Sequence, residues 1–224
     1  MHLNADFTRR ASVHAAGLDW VPSPMPGVHR RMLDRIGDEV ARATSIVRYA
    51  PDSRFSPHVH GGGEEFLVLQ GVFQDEHGDY PAGSYVRNPP TSRHTPGSAS
   101  GCTLFVKLWQ MDPLDRTELR LRTDTKTLTP VADRPGVSVL ALFERTDEQV
   151  CLEEWAPGAK VRIPAPGGLE LLVLGGSFDD DGEHFVEQSW LRLPPGAVLS
   201  AVAGPDGCRV WAKTGHLLAV RPMS

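Results

Sequence analysis

The chain has 224 residues, with Lys+Arg 23 against Asp+Glu 28 for a net charge of −5, and 40% of it is hydrophobic. Such a chain folds, as one large domain or two small ones, and wholesale disorder is excluded. A mildly acidic chain without a basic stripe excludes a nucleic-acid footprint and a polybasic membrane anchor, so the expected partners are small molecules.

From the N-terminus, MHLNADFTRRASV has no apolar run behind its arginines. No later segment approaches the roughly 18 apolar residues of a membrane span, so a cytoplasmic location is the expectation. His29 to Ala43 is the only stretch with a trace of helical period, and Gly37 in its middle favours strand. Thr44–Val47, Glu65–Leu69 and Thr103–Val106 read as strands, with turns at Gly61–Gly63 and Asp75–Asp79. Cys102, Cys151 and Cys208 are far apart with no C-x-x-C, which excludes a disulfide framework or a cysteine-rich zinc knuckle.

The second half repeats the first. Pro26-Gly27-Val28 returns as Pro135-Gly136-Val137, Leu67-Val68-Leu69 as Leu172-Val173-Leu174, Pro89-Pro90 as Pro194-Pro195, and Gly101-Cys102 as Gly207-Cys208, always 105 to 109 residues on. Two copies of one β domain follow, over 1–115 and 116–224, each a sandwich or barrel of short strands.

Chemistry concentrates in the first copy. His58 and His60 share one face of a strand, a glycine turn follows, and Glu64 is then delivered beside them, with His94 thirty residues on. Three neutral imidazoles and one carboxylate suit a divalent first-row metal with positions left for water or substrate. Glu65 rivals Glu64. In the second copy the histidine positions fall on Pro164 and Pro166 or on Ile163 and Ala165, Glu64 falls on Leu169 and His94 on Leu199, so that copy is read as a filled apolar barrel without metal ligands.

These residues resemble the cupin family, whose motifs read G-x5-H-x-H-x3,4-E-x6-G and G-x5-P-x-G-x2-H. His58, His60, Glu64 and Gly71 match the first and Gly83, Pro89 and His94 the second, while Asp52 and Thr91 stand where the family has glycine. The six-residue step to Gly71 selects Glu64 over Glu65. The stretches Asp75–Pro90 and Gly101–Lys107 look like the ChrR-type cupins in particular. The resemblance implies an all-β protein of tandem cupin jelly-roll barrels, a bicupin, with one metal (Zn, Fe, Mn or Ni, zinc or iron foremost) on His58, His60, Glu64 and His94.

It also implies a metal-dependent dioxygenase or oxidoreductase acting on a small organic molecule. The alternative is a non-catalytic, metal-bound sensor related to ChrR anti-sigma factors; the chain lacks their cysteine-paired zinc domain, so a sigma-factor partner is not expected. Catalytic residues beyond the ligands are not named by the sequence, and Arg54, Phe55 and Arg93 are only guesses at a pocket lining. The outward stripe of Leu67 and Leu69, with Leu172 and Leu174, calls for cover, by the other copy or by a second chain in a homodimer.

Overall fold

Each run of aliphatic residues read above as a strand lies in one. In the computed structural model, which describes residues 1–218 and Val220, the principal strands are β1 (Ala11–His14), β2 (Val28–Gly37), β3 (Ala41–Tyr49), β4 (His58–Val59), β5 (Glu64–Asp75), β6 (Ser84–Asn88), β7 (Arg93–His94), β8 (Cys102–Leu108) and β9 (Leu119–Arg122). The second half adds β10 (Val137–Arg145), β11 (Glu148–Trp155), β12 (Lys160–Ala165), β13 (Leu169–Asp180), β14 (Ser189–Leu193) and β15 (Ala197–Thr214). The trace of helical period at His29–Ala43 is a hairpin of β2 and β3, closed where Gly37 pairs with Ala41. No helix among the described residues is long and apolar enough to cross a membrane.

By their contacts the described residues form two units, Met1–Ala5 with Leu18–Thr125, and Asp6–Gly17 with Lys126–Val220. The first has antiparallel order β2-β3-β8-β5-β6-β9, the second β10-β11-β15-β13-β14-β1. The two orders match position for position. β1 and β9 are themselves repeat partners, each followed by a 3-10 turn (Ala15–Gly17 and Thr123–Thr125), so each copy's first strand completes the unit built from the other copy. A boundary at 115/116 follows the sequence repeat; the contacts divide at Thr125 because β9 pairs with β6.

Equivalent buried arginines hold the two exchanged segments. Arg87, fully buried, lies 2.7 Å from Asp115, whose carboxyl burial would raise but which hydrogen bonds from Thr117 and the charge of Arg87 hold below its usual range. In the second unit Arg192, equally buried, donates to the Asp6 carbonyl at 3.1 Å and lies over the Phe7 ring.

Alternation along β5 sends Phe66 and Val68 inward, and a register shift between Val68 and Gln70 changes the parity so that Phe73 joins them in a core with Val47, Val86, Leu104 and Val106. In the second unit Val161, Leu171, Phe178, Leu199 and Val210 do the same, each contributing about 1.5–3 kcal/mol. Gly71 and Gly176 recur for one reason: both have positive φ, and a Cβ on either would stand 2.1 Å from the carbonyl oxygen of Gly101 or Gly207. The Asp179-Asp180-Asp181-Gly182 run is a hairpin tip, with both Asp181 and Gly182 left-handed as a type I′ turn requires.

Candidate metal centre

Strands β4 and β7 form a two-stranded ribbon with His58 directly opposite His94. His60 extends it, donating its amide to the Ser92 carbonyl and accepting from Thr91, each at 2.9 Å. The chain then reverses over Trp109. A Cβ on Gly61 or Gly62 would stand 2.6 or 2.5 Å from that indole, so only glycine lets the turn lie flat and start β5 at Glu64.

The result is a convergent set. Ring centroids of His58, His60 and His94 lie 4.7 to 4.9 Å apart, and one nitrogen from each can be chosen so that all three fall within 4.8 Å of one another. Glu64 Oε2 lies 3.6 Å from both His60 Nε2 and His94 Nε2. Those two nitrogens are buried and have no hydrogen-bond partner, an arrangement that costs free energy unless something accepts their lone pairs. Donors held about 2.1 Å from one ion lie roughly 3.0–3.6 Å apart, so His60, His94 and Glu64 fit a shared cation. His58 is exposed and leaves the set open on its side. Among the described residues this histidine set is the one cluster that could hold a metal ion.

Supporting groups aim the donors. Asn88, paired in register with Glu64, donates its amide to Glu64 Oε2 at 3.0 Å. Asp75 Oδ2 lies 3.4 Å from His94 Nδ1, while its other oxygen accepts from the Tyr80 hydroxyl and the His77 amide. Burial pushes the Asp75 carboxyl up, but those hydrogen bonds outweigh it and hold the group below its ordinary value. Burial lowers His60; it acts on His94 too, yet Asp75 and Glu64 overcome it and raise that imidazole. Asp75 and Asn88 carry no motif signal: register with Glu64 brings Asn88 to the centre, and Asp75 reaches it by a side-chain contact with His94 nineteen residues on.

Glu65 lies on the opposite face, buried and bonded to the Tyr85 hydroxyl at 2.6 Å. Asp52 and Thr91, which replace family glycines, have φ of 60° and 75°, so both turns keep the glycine conformation without the glycine. Of the guessed lining residues, Phe55 packs on Tyr49 beside the core, whereas Arg54 and Arg93 are exposed. Cys102 and Cys208 are buried strand residues whose thiols burial pushes up to about 11 and about 12, which leaves them protonated and unreactive.

Two repeated jelly-roll units, one with a histidine set at its mouth, define a two-domain cupin. The chain belongs to the ChrR Cupin-like domain family, which it matches twice, over residues 8–112 and 116–218. A search of curated proteins gives no match. Solved structures share the fold. A candidate dioxygenase from Nostoc punctiforme superposes with a TM-score of 0.74 at 13% identity, over 96% of this chain and 88% of that one. A bacterial pirin from Escherichia coli in complex with nickel(II) gives 0.69 at 12% identity, over 92% and 98%. Salicylate 1,2-dioxygenase from Pseudoaminobacter salicylatoxidans gives 0.56 at 10% identity, over 77% and 68%.

Proposed function

We propose that His58, His60, Glu64 and His94 hold one divalent transition metal ion and that the protein is a metal-dependent dioxygenase or related oxidoreductase acting on a small organic molecule. The observation that carries this is the pair of buried, unpartnered Nε2 atoms converging with Glu64 while His58 stays exposed. The dioxygenases and the nickel-bound pirin among the neighbours support the class of chemistry; the choice of metal and substrate rests on this chain's own residues.

An ion held there supplies Lewis acidity and, where it is redox-active, electron transfer to O2. The chain's part is positional. Asn88 keeps Glu64 turned toward the imidazoles, and Asp75 fixes the His94 ring through Nδ1, leaving Nε2 free to ligate. Phe66, Phe73, Leu104 and Val106 wall the barrel with apolar surface, and Tyr49 and Phe55, half-buried, flank it with aromatic surface suited to an apolar organic substrate.

The test is metal analysis of protein purified without chelator, followed by nitric oxide addition to the iron(II)-loaded form. Expected are one ion per chain, lost in His58→Ala, His60→Ala and His94→Ala, and a high-spin iron–nitrosyl EPR signal, which requires an exchangeable position. Two ions per chain overturn the assignment. Stoichiometric zinc, with iron(II) that takes up no nitric oxide, replaces the enzyme with the non-catalytic sensor.

A further inference from the structure

The second unit keeps a filled core and, next to it, an open space. Its interior is packed around Leu171, Phe178 and Leu199, but its mouth opens into a cavity of about 690 Å3 walled by Val139, Phe143, Ile163 and Leu169, with Arg134 and Glu153 on one side. Leu169, the repeat counterpart of Glu64, is buried in the core, and Ile163 or Pro164 takes the place of His58, so apolar residues stand at the edge of this cavity where the first copy has its metal donors. Close-packed interiors leave voids near the size of a water molecule, whereas small-molecule sites run to roughly 300–1,000 Å3.

We propose that this cavity is a second ligand site, one that takes an uncharged, largely apolar small molecule. The charges of the wall are already matched to one another. Arg134 grips Glu153 with both terminal nitrogens at 2.7 and 2.6 Å, and the Trp155 indole donates to the same carboxylate at 2.7 Å. Arg145 grips Asp147 at 2.7 and 2.6 Å, and Lys213 lies 2.8 Å from Glu148. An anionic ligand would have to break a bidentate pair and would meet the further carboxylate of Glu144, which accepts from the Gln149 amide. The Cys151 thiol on the wall is pushed up to about 12 by burial and by Glu153, so it offers neither a thiolate ligand nor a nucleophile. What remains for binding is apolar area.

The site makes no use of the first unit's metal, and its test is independent of that reading. Methyl-labelled, metal-loaded full-length protein is titrated with 2-naphthol and, separately, with 2-naphthoate, the same frame carrying a charge. Expected are saturable shifts of the Val139, Ile163 and Leu169 methyls with 2-naphthol, whether or not Val68 and Val106 of the first unit also respond, and binding of 2-naphthoate to the second unit weaker by about tenfold or more. Val139→Trp and Ile163→Trp, each filling the mouth, should abolish the shifts of the remaining methyls at unchanged metal content, while His58→Ala leaves them intact. Absence of saturable shifts in the wild-type protein, shifts confined to the first unit, or tighter binding of the naphthoate would each overturn the proposal.

Discussion

His60 and His94 share one centre and are driven in opposite directions, and the difference sets how metal and protons compete. Burial holds His60 below its ordinary value, so it is ready to ligate near neutrality, but Asp75 and Glu64 hold His94 above its own. In the metal-free chain a raised His94 stabilises the fold below about pH 6.5, and this is lost as pH rises through its folded value. Metal ligation needs the neutral ring and so works with the opposite sign. Occupancy should therefore begin to fall above about pH 6.5, where the raised His94 starts to protonate, and the melting-temperature gap between loaded and metal-free protein should close between about pH 8 and 5. A gap unchanged across that range would contradict the ligand assignment. A second residue-scale expectation concerns Thr91, exposed and left-handed at φ 75°. That conformation costs an L residue about 1–2 kcal/mol, and glycine's extra unfolded-state freedom costs about 0.5–1, so Thr91→Gly should stabilise by about 0.5–1 kcal/mol in urea titration. Destabilisation would show that the side chain is needed there. Three of the four proposed donors are legible in sequence because H-x-H and the glycine turn before Glu64 set them side by side, and His94 is legible through the second motif that it closes. Asp75 and Asn88 are not, because Asn88 reaches the centre through its pairing with Glu64 and Asp75 through a side-chain contact with His94, which no local spacing encodes.

The exchanged strand β1 is held to the second unit by charge as well as by its ladder with β14. Arg10 reaches Asp180 at 2.5 Å and Glu183 at 3.2 Å, and His14 lies 3.0 Å from the other oxygen of Glu183. Burial raises the Glu183 carboxyl, but hydrogen bonds from Ser12, Arg10 and His14 prevail and depress it. A depressed carboxyl contributes stability that is fully present above its unfolded value of about 4.5 and is lost as pH falls through the lower folded value. Glu183→Gln should accordingly lose less stability than the parent between about pH 5 and 3, with amide exchange at Trp190 and Leu191 accelerating in acid only in the parent. Equal acid limbs would remove Glu183 from the clamp. Most elements are legible from their own residues: Gly37 breaks the helical trace, and Asp181-Gly182 marks a hairpin. The exchange of β1 for β9 is not, since nothing in Ala11–His14 or Leu119–Arg122 names a partner strand, and only pairing with β14 and β6 shows where they go.

At the scale of the chain, the exchange makes the repeat boundary a poor place to cut. A fragment of residues 1–115 carries all four proposed metal donors but lacks β9, so the ladder from Ser84–Arg122 to Arg87–Leu119 is missing and the β6 edge stands open. It also carries β1 and Arg10 with neither β14 nor Asp180 to receive them. Residues 116–224 suffer the converse loss: β14 is left as an open edge, and Arg192, fully buried, is deprived of the Asp6 carbonyl and the Phe7 ring. Open strand edges next to apolar surface pair with other chains, and only roughly 5–15 kcal/mol holds a domain folded. The 1–115 fragment is therefore expected to aggregate or self-associate despite its complete donor set. Extension to Thr125 restores β9 and Asp115's neighbours and should recover soluble, metal-binding protein, because it closes the β6 edge even though β1 stays unpaired. For the second half, residues 116–224 should be rescued by a synthetic peptide spanning Asp6–Gly17, added in trans and read as a rise in melting temperature and a return to monomer by light scattering. A well-folded, monomeric 1–115 with full metal affinity, or a 116–224 fragment indifferent to the peptide, would show that the exchanged strands are dispensable and that each copy is self-sufficient.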